Sequence, residues 1–194
     1  LGNYELITPP AAEPIELAEA KAHARVESDA EDGLFGRLIP AARGYVERFC
    51  GLALITQTWR ATFDAWTPRG LKLRPHQVQT IDAVKVWDGA ALTVQDLGGF
   101  QLVRSRPARL VSATGVDPAQ PTRAYAGIEV EFTAGFGAIP SDVPDELKQA
   151  MLLLIGHWYE NREPTALNQN LSVVGDIKFT IDHLLVPHRG MALG

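Results

Sequence analysis

Apolar residues recur at spacings of three and four near both ends of the chain, and at spacings of two between them. Phe35, Leu38, Ile39, Ala42, Tyr45, Val46 and Phe49 form one stripe on a single helical face. Gly51 is placed to end that helix, because glycine suits the left-handed C-terminal position, and Pro40 inside the stripe is expected to kink it. Upstream, residues 14 to 26 are rich in helix formers, with Pro14 near the first turn and Glu16 and Glu19 early, where acids complement the helix dipole. A short helix is predicted there.

From Ile55 to about Phe136 the period falls to two. Trp59, Ala61 and Phe63 alternate with Thr58, Arg60 and Thr62, the pattern of a strand with one buried face. Further strands are predicted at Leu71–Leu73, Ile81–Trp87, Ala91–Val94, Phe100–Val103, Arg109–Val111 and Ile128–Thr133. Turn chemistry separates them at Pro68 to Gly70, Asp88-Gly89 and Gly98-Gly99, and Ser112 to Ala126, with Pro118 and Pro121, reads as a loop at the rim.

The chain then returns to helix. Pro144 opens it, Asp145 and Glu146 fill its first turn, and Leu147 to Tyr159 are almost wholly apolar before Pro164 forbids continuation. A helix apolar nearly all round packs on several sides, here against the other elements or a neighbouring subunit. Beyond Pro164 no helical period is evident. Leu171 to Val174 and Lys178 to Ile181 are candidate short strands, and Leu184 to Gly190 reads as an apolar tail ending in breakers.

The pattern predicts an α+β fold, a helical body of three main helices with an inserted antiparallel β lobe and an extended C-terminal tail. The expected division is 1–53, the N-terminal helical part; 54–140, the β lobe; and 141–194, the last helix and tail.

Composition narrows the function classes. With 194 residues, 46% hydrophobic and 21% charged, the chain has the balance of a self-folding globular protein. A net charge of −5 argues against a broad grip on nucleic-acid phosphates, which requires clustered Lys and Arg. The single cysteine, Cys50, lies among Tyr45, Val46, Phe49 and Leu52, where a small buried thiol is expected. The longest apolar run, Ala150 to Gly156, is too short to cross a bilayer, and no basic region leads into an apolar signal core, so a place in the cytoplasm or in a particle is expected. Position 1 is Leu, consistent with a processed or trimmed start.

No candidate chemistry assembles into a catalytic site. His157 and Glu160 share a helical face at a spacing some metal sites use, but no second His or Cys lies within zinc-site spacing. A polar helix end is the reading preferred. His76, His183 and His188 are scattered without a nucleophile motif. The run Thr133 to Gly137 lacks the third glycine and following helix of a phosphate cradle and reads as a bulge or tight turn. Of the four tryptophans, Trp59, Trp87 and Trp158 fall at positions compatible with burial, while Trp66 beside a turn is free to stack on a ligand. No catalytic, cofactor-binding or metal-ligating residue is assigned.

Six stretches in a fixed order carry a resemblance: Glu19 to Val26, Ala41 to Phe49, Leu54 to Trp59, Val130 to Gly137, Val143 to Ala150 and Tyr159 to Glu163. Together they resemble the head-to-tail connector (adaptor) family of long-tailed phages and gene transfer agents, over Leu17 to Arg189. Two positions depart from the family pattern: Pro40 stands where the second helix normally runs unbroken, and Ala24 where a larger aliphatic residue is usual.

The resemblance implies a structural protein and not an enzyme, without cofactor, metal or membrane. It implies a ring of about twelve copies of this chain, stacked between the portal protein and a stopper or tail-terminator protein in the neck of a particle assembled in the bacterial cytoplasm. DNA would pass through the ring unheld, and an acidic lumen would suit that passage. On this reading Leu184, Leu185, Val186, Pro187, His188 and Arg189 are candidate portal-binding residues, and Tyr45, Arg48, Trp158, Tyr159 and Arg162 candidate subunit contacts. Two other classes compete. A carbohydrate- or peptide-binding module would use Trp66 and Trp87 if they shared an exposed face of the β lobe, and a hydrolase would hold a metal at His157 and Glu160.

Overall fold

The computed structural model describes residues 2–161 and 179–189. The chain divides into two compact units, a β unit built from the residues up to Ala11 together with Gly51–Phe136, and a helical unit built from Ala12–Cys50 and Gly137–Arg189.

The β unit contains β1 (Asn3–Thr8), β2 (Gln57–Phe63), β3 (Leu71–Leu73), β4 (Val78–Trp87), β5 (Leu92–Val94), β6 (Phe100–Val103), β7 (Ala108–Ser112) and β8 (Ile128–Ala134). Five of them form an antiparallel sheet in the order β1-β2-β8-β4-β5, and three form a second in the order β3-β7-β6. Period two does its expected work. Ile128, Val130, Phe132 and Ala134 of β8 face inward beside Ala61 and Phe63 of β2, and meet Leu71, Leu73, Ala108 and Leu110 of the smaller sheet in one shared core.

The opposite face of the large sheet carries a ladder of charge. Arg60 donates to Glu131 (2.9 Å) and stands 3.5 Å from Glu129 and 3.6 Å from Glu5, while Lys85 bridges Glu129 (2.8 Å) and Glu131 (2.9 Å). These two cations hold the Glu131 carboxyl below the usual carboxylate range. Two irregularities interrupt the β4–β8 register, at Gln79 and Asp82. Their side chains tie the bulges down: Gln79 donates to Thr56 Oγ1 (3.2 Å) and the Gly135 carbonyl (2.9 Å), and Asp82 accepts from Thr80 (2.9 Å) and Thr133 (2.7 Å).

In the run Thr133 to Gly137, Thr133 and Ala134 are the last residues of β8, and the chain then bends at Gly135 and Phe136, whose N–H groups donate to the carbonyls of Gln77 (2.8 Å) and Leu54 (3.0 Å). Gly135, at φ +144, lies so close to the Ile55–Thr56 backbone that a Cβ there would meet Thr56 N at 2.6 Å.

The helical unit contains α1 (Leu17–His23), α2 (Asp32–Cys50), α3 (Asp145–Glu160) and a C-terminal helix, α4, seen over residues 179–185. The two ends of the first helix pair are closed differently. α1 ends in a Schellman arrangement, with Arg25 N–H on the Ala22 carbonyl (3.1 Å) and Val26 N–H on that of Lys21 (2.9 Å), and Arg25 takes the left-handed conformation (φ 55) usually given to glycine. α2 ends at Cys50 with Gly51 at φ +70.

The sequence differs from the structure in several places. α2 is one helix through Pro40, the position at which a kink was expected. Burial of Phe35, Ile39, Ala42, Val46 and Cys50 along one face outweighs the missing hydrogen bond at one position. Residues 3–8, read as part of the helical region, form the edge strand β1. Residues 179–185 are helical and Val186–His188 form a 3-10 turn, so the expected strand at Lys178 to Ile181 and the extended tail are corrected over those residues. Ile181 and Leu185 are buried there, which docks the segment instead of leaving it loose. The candidate strand Leu171 to Val174 lies outside the described residues.

Candidate docking surfaces

On the helical unit, the turn spacing of α2 places Tyr45 and Phe49 one above the other, ring centroids 6.2 Å apart and nearly parallel. Trp158 of α3 meets Tyr45 edge-on at 6.4 Å, and the Arg189 guanidinium lies over the Phe49 ring at 5.4 Å. All three rings are half-buried, so a strip of aromatic surface capped by a cation stays available after the unit's own core is complete. Arg48, one turn from Tyr45, is exposed. Tyr159 faces elsewhere and stacks on buried Phe35 at 5.0 Å. Tyr45, Arg48 and Trp158 therefore share a neighbourhood and Tyr159 does not join them; Arg162 lies outside the described residues. Phe49 and Arg189 complete the strip, and the Tyr45–Phe49 spacing of four was the signal for the first of them.

The apolar bulk of α3 is used inside the subunit. Leu147, Ala150, Met151, Leu152, Leu154 and Ile155 are all buried, leaving little of that helix as free apolar surface.

The C-terminal residues divide in the same way. Leu185 is fully buried, and its carbonyl lies 3.6 Å from Cys50 Sγ, so it anchors the segment. Leu184 is half-buried, whereas Val186 and Pro187 are exposed on the 3-10 turn. His188 Nε2 stands 3.9 Å from Glu146 Oε2. Burial pushes the Cys50 thiol up to about 11, which keeps it protonated and unreactive at neutral pH.

A groove of about 680 Å³ beside α1 is lined by apolar Leu17, Ala18, Ala22 and Val26 together with the charged Lys21, Arg25, Glu27, Asp29 and Asp32. Lys21 is engaged there by Asp32 (2.6 Å) and Asp29 (2.9 Å).

On the β unit, Trp66 is not free. It stacks on Phe100 at 5.4 Å, and its indole N–H donates to the Ala119 carbonyl (2.9 Å). Trp87 is covered by Arg123, 4.3 Å above its ring. Both faces proposed for a ligand are occupied by the protein itself. His157 and Asn161 contact each other at the end of α3 (3.2 Å), and among the described residues no group of three or more His, Cys, Asp or Glu is placed to hold a metal. Of the described helices, none is long and apolar enough to cross a membrane.

Comparison with known proteins adds a family and three likenesses. A model of the phage gp6-like head-tail connector protein family matches residues 14–87. A chain in the virion of a native gene transfer agent particle is 26% identical, with a TM-score of 0.78 over 98% of this chain and 97% of that one. A chain in the neck of an empty gene transfer agent particle, computed with C6 symmetry, is 27% identical with a TM-score of 0.79, covering 99% and 97%. A chain in the neck of a native particle, computed with C12 symmetry, is 28% identical with a TM-score of 0.74, covering 100% and 97%. No curated protein sequence matches the chain.

Proposed function

We propose, from the premise that the chain belongs to the head-tail connector family of phages and gene transfer agents, that it is the adaptor subunit of a particle neck: a ring of copies seated on the portal, with a stopper or tail-terminator protein on the far side and a channel for DNA through the middle. The observation that carries this reading is likeness along the whole chain. A matched neck chain covers all of this one at 28% identity, and its particle neck has been computed with twelvefold symmetry.

The surfaces suit that role. A heterologous ring contact needs two different patches on each subunit, and the helical unit offers the aromatic strip of Tyr45, Phe49 and Trp158 beside Arg48, and the α1 groove. Val186, Pro187 and Arg189 supply the exposed part of the portal contact, with Leu185 as the internal peg that fixes their position. The net charge of −5 suits a channel that DNA crosses without sticking.

The test is negative-stain imaging of the purified chain, alone and mixed with the portal ring from the same genome. An added annular layer against the portal is expected, and its rotational order gives the copy number. A chain that stays monomeric and ignores the portal across several salt concentrations would sink the reading. Deleting 184–194 is expected to abolish portal docking, and unchanged docking would move that contact elsewhere.

A further inference from the structure

The two surfaces left on the helical unit lie toward opposite ends of one helix. Asp32 opens α2 and lines the α1 groove, whereas Tyr45, Arg48 and Phe49 belong to the last turns of α2. At a rise of about 1.5 Å and about 3.6 residues per turn, those three lie about 20–25 Å further along the axis and roughly 100–160° round it from Asp32. Groove and strip are therefore two separate patches of one unit.

Their chemistry is opposed. The groove is apolar at Leu17, Ala18, Ala22 and Val26, and the first three of these are exposed. From Glu16 to Asp32 the chain carries six carboxylates against two cations, Lys21 and Arg25. Lys21 is already held by Asp29 (2.9 Å) and Asp32 (2.6 Å), so the surplus round the groove is negative. At the other end the half-buried rings of Tyr45, Phe49 and Trp158 stand beside exposed Arg48, which enters no ion pair among the described residues. Glu47, its neighbour in sequence, is engaged by Arg43 (3.1 Å), and Arg189 over the Phe49 ring brings a second positive charge to that end.

We propose that the aromatic strip of one copy seats in the α1 groove of the next, so that the ring contact runs head to tail from one end of α2 to the other. This rests on the adaptor reading and names the two halves of its subunit contact. The occupant is a second copy because each patch finds its complement in charge on the same chain: apolar rings with cations at one end, an apolar groove with carboxylates at the other. Pairing either patch with itself would set Arg48 against Arg48, or the acids of Glu16 to Asp32 against their own copies, and like charges across a contact are repulsive. Charge thus disfavours a two-fold dimer and favours a heterologous contact, which repeats from copy to copy and closes into a ring when its rotation allows.

Crosslinking between singly substituted chains tests the pairing. Ala22 lines the groove, Ala41 lies one turn before Tyr45, both are exposed, and native Cys50 is buried. Chains carrying Ala22→Cys are mixed with chains carrying Ala41→Cys, assembled on the portal ring and treated with a short bis-maleimide. The expected product is a dimer joining position 22 of one chain to position 41 of another, identified by mass spectrometry, while neither variant assembled alone gives a dimer. Crosslinks between like positions, crosslinks to the portal, or rings containing both variants without the 22–41 product overturn the proposal and leave the adaptor reading intact. Failure of the unmodified chain to form a ring on the portal overturns both.

A blocked groove gives a second measure. Ala22→Arg keeps a good helix former on an exposed position while adding bulk and a charge that repels Arg48. Ring formation should then need roughly 10-fold more protein or more, with the thermal melt of the subunit unchanged. Rings formed by Ala22→Arg at the wild-type concentration would overturn the assignment of the groove.

Discussion

At the scale of single residues, Cys50 joins chemistry to packing. Its thiol is buried beside the Leu185 carbonyl and pushed up to about 11. An unfolded thiol ionises near 9, so between about pH 9 and 11 the unfolded chain holds fewer protons than the native one and stability falls as pH rises. Chemical denaturation across that range should show this loss, and Cys50→Ala should remove this part of the pH dependence. A thiol reagent at pH 7.5 should label the unfolded chain and leave native Cys50 unlabelled. The environment was legible in the sequence, because Tyr45, Val46 and Phe49 precede Cys50 on one helix. The state of Trp66 was not. A tryptophan beside a turn looks exposed, and only the return of the chain at Phe100 and Ala119 engages both its face and its N–H.

At the scale of elements, α2 shows tertiary packing overruling a local breaker. Pro40 costs a helix interior up to about 3 kcal/mol relative to Ala, and the buried face from Phe35 to Cys50 carries that cost. Pro40→Ala should therefore raise stability by about 1–3 kcal/mol, read from urea denaturation; a loss would mean that the ring makes contacts the helix needs. The charge ladder on the large sheet is half-exposed, so each of its pairs contributes modestly. Glu131→Gln should cost roughly 1 kcal/mol, since it weakens contacts to both Arg60 and Lys85. Because the native Glu131 carboxyl sits below its usual range, the ladder's stabilisation is present above that range and is lost as pH falls through it. The variant should lose less stability on acidification. Strands with one buried face were readable because alternation survives in sequence; β3 and β6 were located to the residue. β1 was not, because an edge strand with only Tyr4 half-buried between Asn3 and Thr8 needs no alternation. The turn of helix over 179–185 is too short to establish a period, and its burial of Ile181 and Leu185 depends on the rest of the helical unit.

At the scale of the whole molecule, the order of helix, sheet and helix was visible in the change of period from about 3.6 to 2 and back. Surface and core looked alike in the sequence wherever both were apolar: α3 spends its apolar residues inside the subunit, while the strip on α2 keeps part of its aromatic area for something else. Arg48→Glu probes that difference, since Arg48 is exposed and the isolated subunit should melt as before. Ring formation, followed by light scattering, should require roughly 10-fold more protein or fail; rings of normal stability would remove Arg48 from the contact. The division of the chain into a β unit and a helical unit has one more consequence. Among the described residues the backbone passes between the units three times, after Ala11, Cys50 and Phe136. Cutting any one of these crossings leaves the units covalently joined through the other two, so a single protease nick at a crossing does not release either half.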